Sequence, residues 1–136
     1  MASLPTTDGL FNSKLSVLVA DDQLVMRDLL TALLRNLKIH KIDSAADGTQ
    51  AIDQFRKTQH DIVFLDIDMP ETDGLGALKK MIEIKPDAFI VMVSGNSSID
   101  NVKAALQLGS KGFIVKPYST SKINDMINKH RKNVIE

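Results

Sequence analysis

The chain has 136 residues, 43% hydrophobic and 25% charged, which fits one globular domain burying about two-thirds of its unfolded surface and argues against disorder or a fibrous repeat. Seventeen basic side chains balance seventeen acidic ones, so bulk charge favours neither nucleic acid nor an anionic membrane as partner. The absence of cysteine excludes disulfides, thiolate catalysis and cysteine-held metal clusters; no run nears the about 18 apolar residues of a membrane span, and no signal peptide is legible.

In chain order, residues 1–13 mix Ser, Thr, Asn, Gly and Pro without apolar periodicity and read as a flexible leader, with contacts only from Leu10 and Phe11. The domain is expected over residues 14–136. Leu15 to Ala20 is an apolar run that predicts a first strand ending in Asp21-Asp22, and Met26, Leu29, Leu30, Leu33, Leu34 and Leu37 recur at helical spacing behind it. A weaker second strand lies near Ile39 to Ala45, followed by a helix that carries Ala51, Ile52 and Phe55. Ile62 to Leu65 predicts a third strand reaching Asp66; Met69-Pro70 and Thr72-Asp73-Gly74 read as a turn before a helix with Leu75, Leu78 and Ile82.

Phe89 to Val93 predicts the fourth strand, ending in Ser94-Gly95, and Val102, Ala105 and Leu106 a helix stopped at Gly109. Phe113 to Val115 is the fifth strand, ending in Lys116-Pro117. Ile123, Met126, Ile127 and His130 mark the last helix. His40, His60 and His130 lack metal-ligand spacing and are expected at the surface or at helix ends. Five strand-helix units with continuous apolar strands imply an α/β fold, a five-stranded parallel sheet with helices on both faces. Right-handed crossovers leave few topologies, among which the order 2-1-3-4-5 is favoured, a choice that leans on the family resemblance described below.

Ligands of open parallel sheets gather beyond the carboxyl ends of the strands. There the chain places Asp21, Asp22 and Asp66, the hydroxyl of Ser94 and the ammonium of Lys116. Three close carboxylates repel one another unless a cation compensates, and an all-oxygen donor set favours Mg2+ or Mn2+. An aspartate can attack phosphorus to give an acyl phosphate, the remaining work being alignment and charge neutralisation. Asp66 is then the nucleophile, with Lys116 and Ser94 each reaching a phosphoryl oxygen.

The segments Val17-Leu18-Val19-Ala20-Asp21-Asp22, Asp61-Ile62-Val63-Phe64-Leu65-Asp66-Ile67-Asp68-Met69-Pro70, Ser94-Gly95 and Val115-Lys116-Pro117 resemble the motifs of response-regulator receiver domains, in order and spacing. Ala46-Asp47-Gly48, Asp73-Gly74 and Leu108-Gly109 are similar to the family as well, and coverage runs from about Lys14 to Val134. The resemblance implies a flavodoxin-like receiver fold of the chemotaxis-regulator kind. It implies that Asp21, Asp22 and Asp66 hold the metal with the backbone carbonyl of Asp68, and that a histidine kinase or phosphotransfer protein supplies the phosphoryl group. It also implies a switch through Ser94 and Phe113 that alters the face of helix four, strand five and helix five, read by a downstream protein target. The chain departs from the commonest pattern in Phe113 for Tyr, Tyr118 for Phe, Gly95 for Ala and the acidic Asp68, a change that bears on the lifetime of the phosphorylated state.

The expectation is thus a cytoplasmic phosphorylation-dependent switch of a two-component system, acting on no substrate but its own aspartate and binding no nucleic acid or membrane. It is expected to be a monomer or a phosphorylation-dependent dimer. With no output domain after the last helix it is read as stand-alone, the alternative being a receiver fragment of a larger regulator or kinase. Two rivals come from other classes. Phe64-Leu65-Asp66-Ile67-Asp68 resembles the signature of haloacid-dehalogenase-type phosphotransferases, but Pro70 replaces their Thr or Val and Asp21-Asp22 would be unexplained. A flavin-binding module would need a phosphate-cradling loop without the negative charge of Asp21-Asp22.

Overall fold

A computed structural model of the protein describes residues 10–69, 73–95 and 99–135. Most of the expected leader, residues 1–9, and Pro70 and Thr72 of the expected turn lie outside these described residues. Strands β1 (Ser16–Ala20), β2 (Lys41–Ala45), β3 (Ile62–Asp66), β4 (Ile90–Ser94) and β5 (Gly112–Val115) alternate with helices α1 (Leu24–Asn36), α2 (Gly48–Thr58), α3 (Gly74–Ile84), α4 (Ile99–Gln107) and α5 (Thr120–Ile135). All pairings are parallel and the sheet order is β2-β1-β3-β4-β5, as expected.

The central strands β3 and β4 are buried along their whole length, which is why they read as unbroken apolar runs. On one face of the sheet, Leu18, Leu65 and Met92 pack against Phe55 of α2, Leu78 of α3 and Ala105 of α4. On the other, Val19, Phe64 and Ile114 pack against Leu30 and Leu34 of α1 and Ile123 and Ile127 of α5. Side chains alternate along a strand, so each strand feeds both cores.

Ordered packing begins ahead of Lys14. Residues 10–13 turn helical, the amide of Asn12 donates to the Leu37 carbonyl at 2.7 Å, and the Phe11 ring lies 6.2 Å from that of His130. Two histidines also depart from expectation. His60 is fully buried, its Nε2 2.7 Å from a carboxylate oxygen of Asp43 and its ring stacked on Phe55, and His130 is buried edge-on to Phe89 at 5.2 Å. Apolar and carboxylate neighbours from distant segments account for both. Gly109 ends the turn after α4 at φ +105°, a left-handed conformation that glycine adopts without strain.

Candidate functional site at the carboxyl edge of the sheet

Each site residue sits where a sheet ladder runs out and is held by the last hydrogen bonds of that ladder. The amide of Asp21 donates to Ala45 on β2 at 3.1 Å, that of Ile67 to Val93 on β4 at 2.9 Å, and that of Lys116 to Ser94 at 2.8 Å. Strand register thus fixes the backbone of β1, β3 and β5 just where their functional side chains begin. Carboxylate oxygens of Asp21, Asp22 and Asp66 lie within 4.8 Å of one another, with Asp21 and Asp66 buried and Asp22 exposed.

Lys116 joins the carboxylates. Its Nζ stands 2.8 Å from Oδ2 of Asp21 and 3.3 Å from Oδ2 of Asp66. The other oxygen of Asp66 accepts the Asp68 amide at 3.0 Å, and Oδ1 of Asp21 accepts the Gln23 amide at 2.9 Å. Oδ2 of Asp21 is buried, has no aligned hydrogen-bond donor among the described residues, and faces the Lys116 ammonium.

Burial pushes the Asp66 carboxyl up from 3.8 to about 6; the Asp68 amide opposes this, Asp21 adds to it and Lys116 opposes it. Burial also works against the Lys116 ammonium, but Asp21 and Asp66 outweigh it and hold its pKa above the usual lysine value. Tyr118 is buried on the α1 and α5 side of the sheet, and burial, then the charges of Asp21 and Asp66, push its phenol well above the ordinary value. It stays neutral beside the carboxylates.

These groups fit a divalent cation. An all-oxygen donor set of three carboxylates, one of its buried oxygens lacking a hydrogen-bond donor, suits Mg2+ or Mn2+ and no soft metal. Asp68 adjoins Asp66 through its amide, and its side chain is exposed. Ser94 is fully buried as the last residue of β4. Phe113 is half-buried on β5 in register with Met92, and strand alternation puts it on the same face as Ser94, the face covered by α4. Asp66, two residues beyond Phe64, belongs to the opposite face.

Two contacts of the site go beyond the sequence reading, which had Gly74 only in a turn and did not single out Arg27. Gly74 opens α3 directly against β3: a methyl there would run into the carbonyl oxygen of Asp66 and come within 2.5 Å of the Ile67 Cα. Arg27 on α1 donates from Nη1 to the backbone carbonyl of Asp21 at 2.6 Å. A cation so near a helix N-terminus opposes the helix dipole, the one signal that it serves another purpose.

A family model described as response regulator receiver domain matches residues 17–128. The chain is 34% identical over 116 residues to the chemotaxis protein CheY of Thermotoga maritima, covering 85% of this chain and 97% of that protein. It is 35% identical over 113 residues to CheY of Bacillus subtilis, covering 83% and 94%. Among solved structures, the complex of CheX, CheY, BeF3 and Mg2+ from Borrelia burgdorferi aligns at TM-score 0.81 and 33% identity, covering 85% of this chain and 87% of the matched one. The receiver domain of sensor histidine kinase PA1611 from Pseudomonas aeruginosa, with magnesium in its active-site cleft, shares the fold at TM-score 0.77 and 21% identity over 85% and 95% of the two chains.

Proposed function

The chain belongs to the receiver domain family of response regulators, the CheY-like proteins of two-component signalling, and from that premise we propose that it is a switch thrown by phosphorylation of Asp66. The observation that carries the proposal is the grouping of Asp21, Asp22 and Asp66 within 4.8 Å, with the Lys116 ammonium 2.8 Å from one and 3.3 Å from another. A haloacid-dehalogenase-type site does not account for Asp21 and Asp22.

Asp66 attacks the phosphorus of a phosphohistidine on a histidine kinase or phosphotransfer protein. An O–P bond forms, the N–P bond breaks, and its electron pair returns to the imidazole of the donor. The Asp68 amide holds one oxygen of Asp66 and so turns the other toward the donor. Asp21, Asp22, Asp66 and the Asp68 backbone carbonyl would hold Mg2+ or Mn2+, which when bound would offset the carboxylate charge and that of the incoming phosphoryl group. Lys116 transfers its contact from the carboxylates to a second oxygen, and the Ser94 hydroxyl donates to a third. The protein acts on no substrate beyond its own aspartate and works in the cytoplasm. Its output is a protein contact on the face of α4, β5 and α5.

Intact-mass spectrometry after incubation with acetyl phosphate tests the reading. One phosphate adduct should form with Mg2+, and none in Asp66→Ala or in excess chelator. An adduct that persists in either control overturns it.

A further inference from the structure

Helices α2 and α3 start on well-formed caps: the side chains of Asp47 and Asp73 accept the amides of Gln50 and Gly76, each at 2.8 Å. The start of α1 is built differently. Its N-cap Gln23 makes no side-chain capping bond and its first turn holds no acidic residue. Yet this is the junction that carries Asp21 and Asp22, whose carboxylates need a fixed position if they are to hold a small cation of strict geometry.

What holds the junction is Arg27, half-buried one turn into α1, reaching back from Nη1 to the Asp21 carbonyl at 2.6 Å. With that bond every polar atom of Asp21 but one is occupied. Its amide donates to Ala45, its carbonyl accepts Arg27 and its Oδ1 accepts the Gln23 amide. Oδ2 is left buried, without an aligned donor, facing Lys116. A planar, permanently charged guanidinium suits a carbonyl that must not move.

We propose that Arg27 is a positioning residue for the cation site, pinning the Asp21 carbonyl so that Oδ2 is the single oxygen Asp21 offers to the metal. The inference rests on the cation-binding reading above. Removing an outer partner that orients a ligand costs about 10- to 100-fold in metal affinity.

Mg2+ alone is the probe, titrated into the full chain well below the melting temperature of each variant and followed by backbone amide shifts. Arg27→Met keeps the apolar stem and removes the donor; its Mg2+ dissociation constant should rise about tenfold or more. Arg27→Lys should recover part of that loss, since an ammonium can donate to the carbonyl without the planar fork. Asn12→Ala is the control for mere loosening, because it deletes a 2.7 Å side-chain bond to the Leu37 carbonyl just past the other end of α1. It should bind Mg2+ as the wild type does. In metal-free protein the amides of Asp22 and Gln23 should shift in Arg27→Met and stay put in Asn12→Ala.

Wild-type affinity in Arg27→Met, or an equal loss in Asn12→Ala, overturns the proposal. Should Arg27→Met fail to fold, Arg27→Ala is held to the same criterion. A wild-type protein that binds no Mg2+ would remove the cation-site reading and this inference together. Normal wild-type binding with unaffected Arg27 variants removes this inference alone.

Discussion

The ammonium of Lys116 stands 2.8 Å from Oδ2 of Asp21, a buried oxygen that no aligned hydrogen-bond donor serves among the described residues. In metal-free protein this ammonium is the positive charge ion-paired with two buried carboxylates, Asp21 and Asp66. Lys116→Met should therefore destabilise the protein in chelator at neutral pH by about 3 kcal/mol, the usual result of stripping one partner from a buried pair. Saturating Mg2+ should narrow the gap, because the cation compensates the same oxygens and no longer competes with Lys116 for them. Melting curves of both proteins in chelator and in Mg2+ decide it. An equal gap in both conditions would show that Lys116 does not balance the site.

Two glycines near the site predict opposite outcomes for the same change. At Gly74 an added methyl meets backbone, the Asp66 carbonyl and the Ile67 Cα, which cannot rotate aside. Gly74→Ala should cost about 2 kcal/mol or more and move the amide signals of Ile67 and Asp68. At Gly95 an added methyl meets nothing within 4 Å among the described residues, and the backbone lies outside the positive-φ region. Gly95→Ala should be neutral or stabilise by about 0.4–1 kcal/mol by restricting the unfolded chain. Urea denaturation of both variants is the measurement, and a stabilising Gly74→Ala would contradict the described approach of α3 to β3.

The layout of strands and site was legible because the chemistry stands at the ends of apolar runs: Val17 to Ala20 leads into Asp21, Ile62 to Leu65 into Asp66, and Ile114-Val115 into Lys116. Strand β2 was the weak prediction, and its exposure explains why: as an edge strand it buries only Ala45 fully, so its apolar signal is diluted. His60 was expected at the surface or at a helix end; it follows the end of α2, but its burial was not legible because its carboxylate partner, Asp43, comes from β2 and its ring partner, Phe55, from α2. Asn12 read as leader because its burial depends on the Leu37 carbonyl, 25 residues away. Arg27 escaped notice since its partner is a backbone carbonyl, and composition says nothing of where a carbonyl points.

His130 makes acid stability testable away from the carboxylates. Burial lowers its pKa from 6.5; Asp61 opposes that shift and Lys85 adds to it. The folded protein thus disfavours the imidazolium. Its folded-state pKa lies below the unfolded value, so the stability from neutral His130 is complete above pH 6.5 and is lost as pH falls through the folded value. His130→Phe keeps a ring beside Phe89 and Phe11 and cannot charge. Between pH 7.5 and 5.5 the unfolding midpoint should drop less in the variant than in the wild type. Equal drops would mean that His130 titrates alike in both states.

The last prediction concerns how a charge at Asp66 reaches the far side of the sheet. Ser94 and Phe113 lie toward α4, on the face opposite Asp66, so any link between them crosses the sheet at its carboxyl edge, where β4 ends in Ser94. A phosphoryl group brings about −1.5 to −2 charge and three strong acceptors, enough to draw a hydroxyl into a charge-assisted hydrogen bond. Ser94 is fully buried, so its side chain cannot move without repacking its neighbours, and Phe113 is only half-buried and has room to change rotamer. The beryllofluoride mimic with Mg2+ should therefore shift amide signals around Ala104 to Lys111, Phe113 and Tyr118 to Met126 in the wild type. Ser94→Ala should still accept phosphate, because the proposed chemistry rests on Asp66, Lys116 and a cation, but should lose most of the remote shifts. Amide shift maps of both proteins with and without the mimic give the answer. An unchanged remote response in Ser94→Ala would leave the phosphorylation site standing and remove the hydroxyl of Ser94 as its messenger.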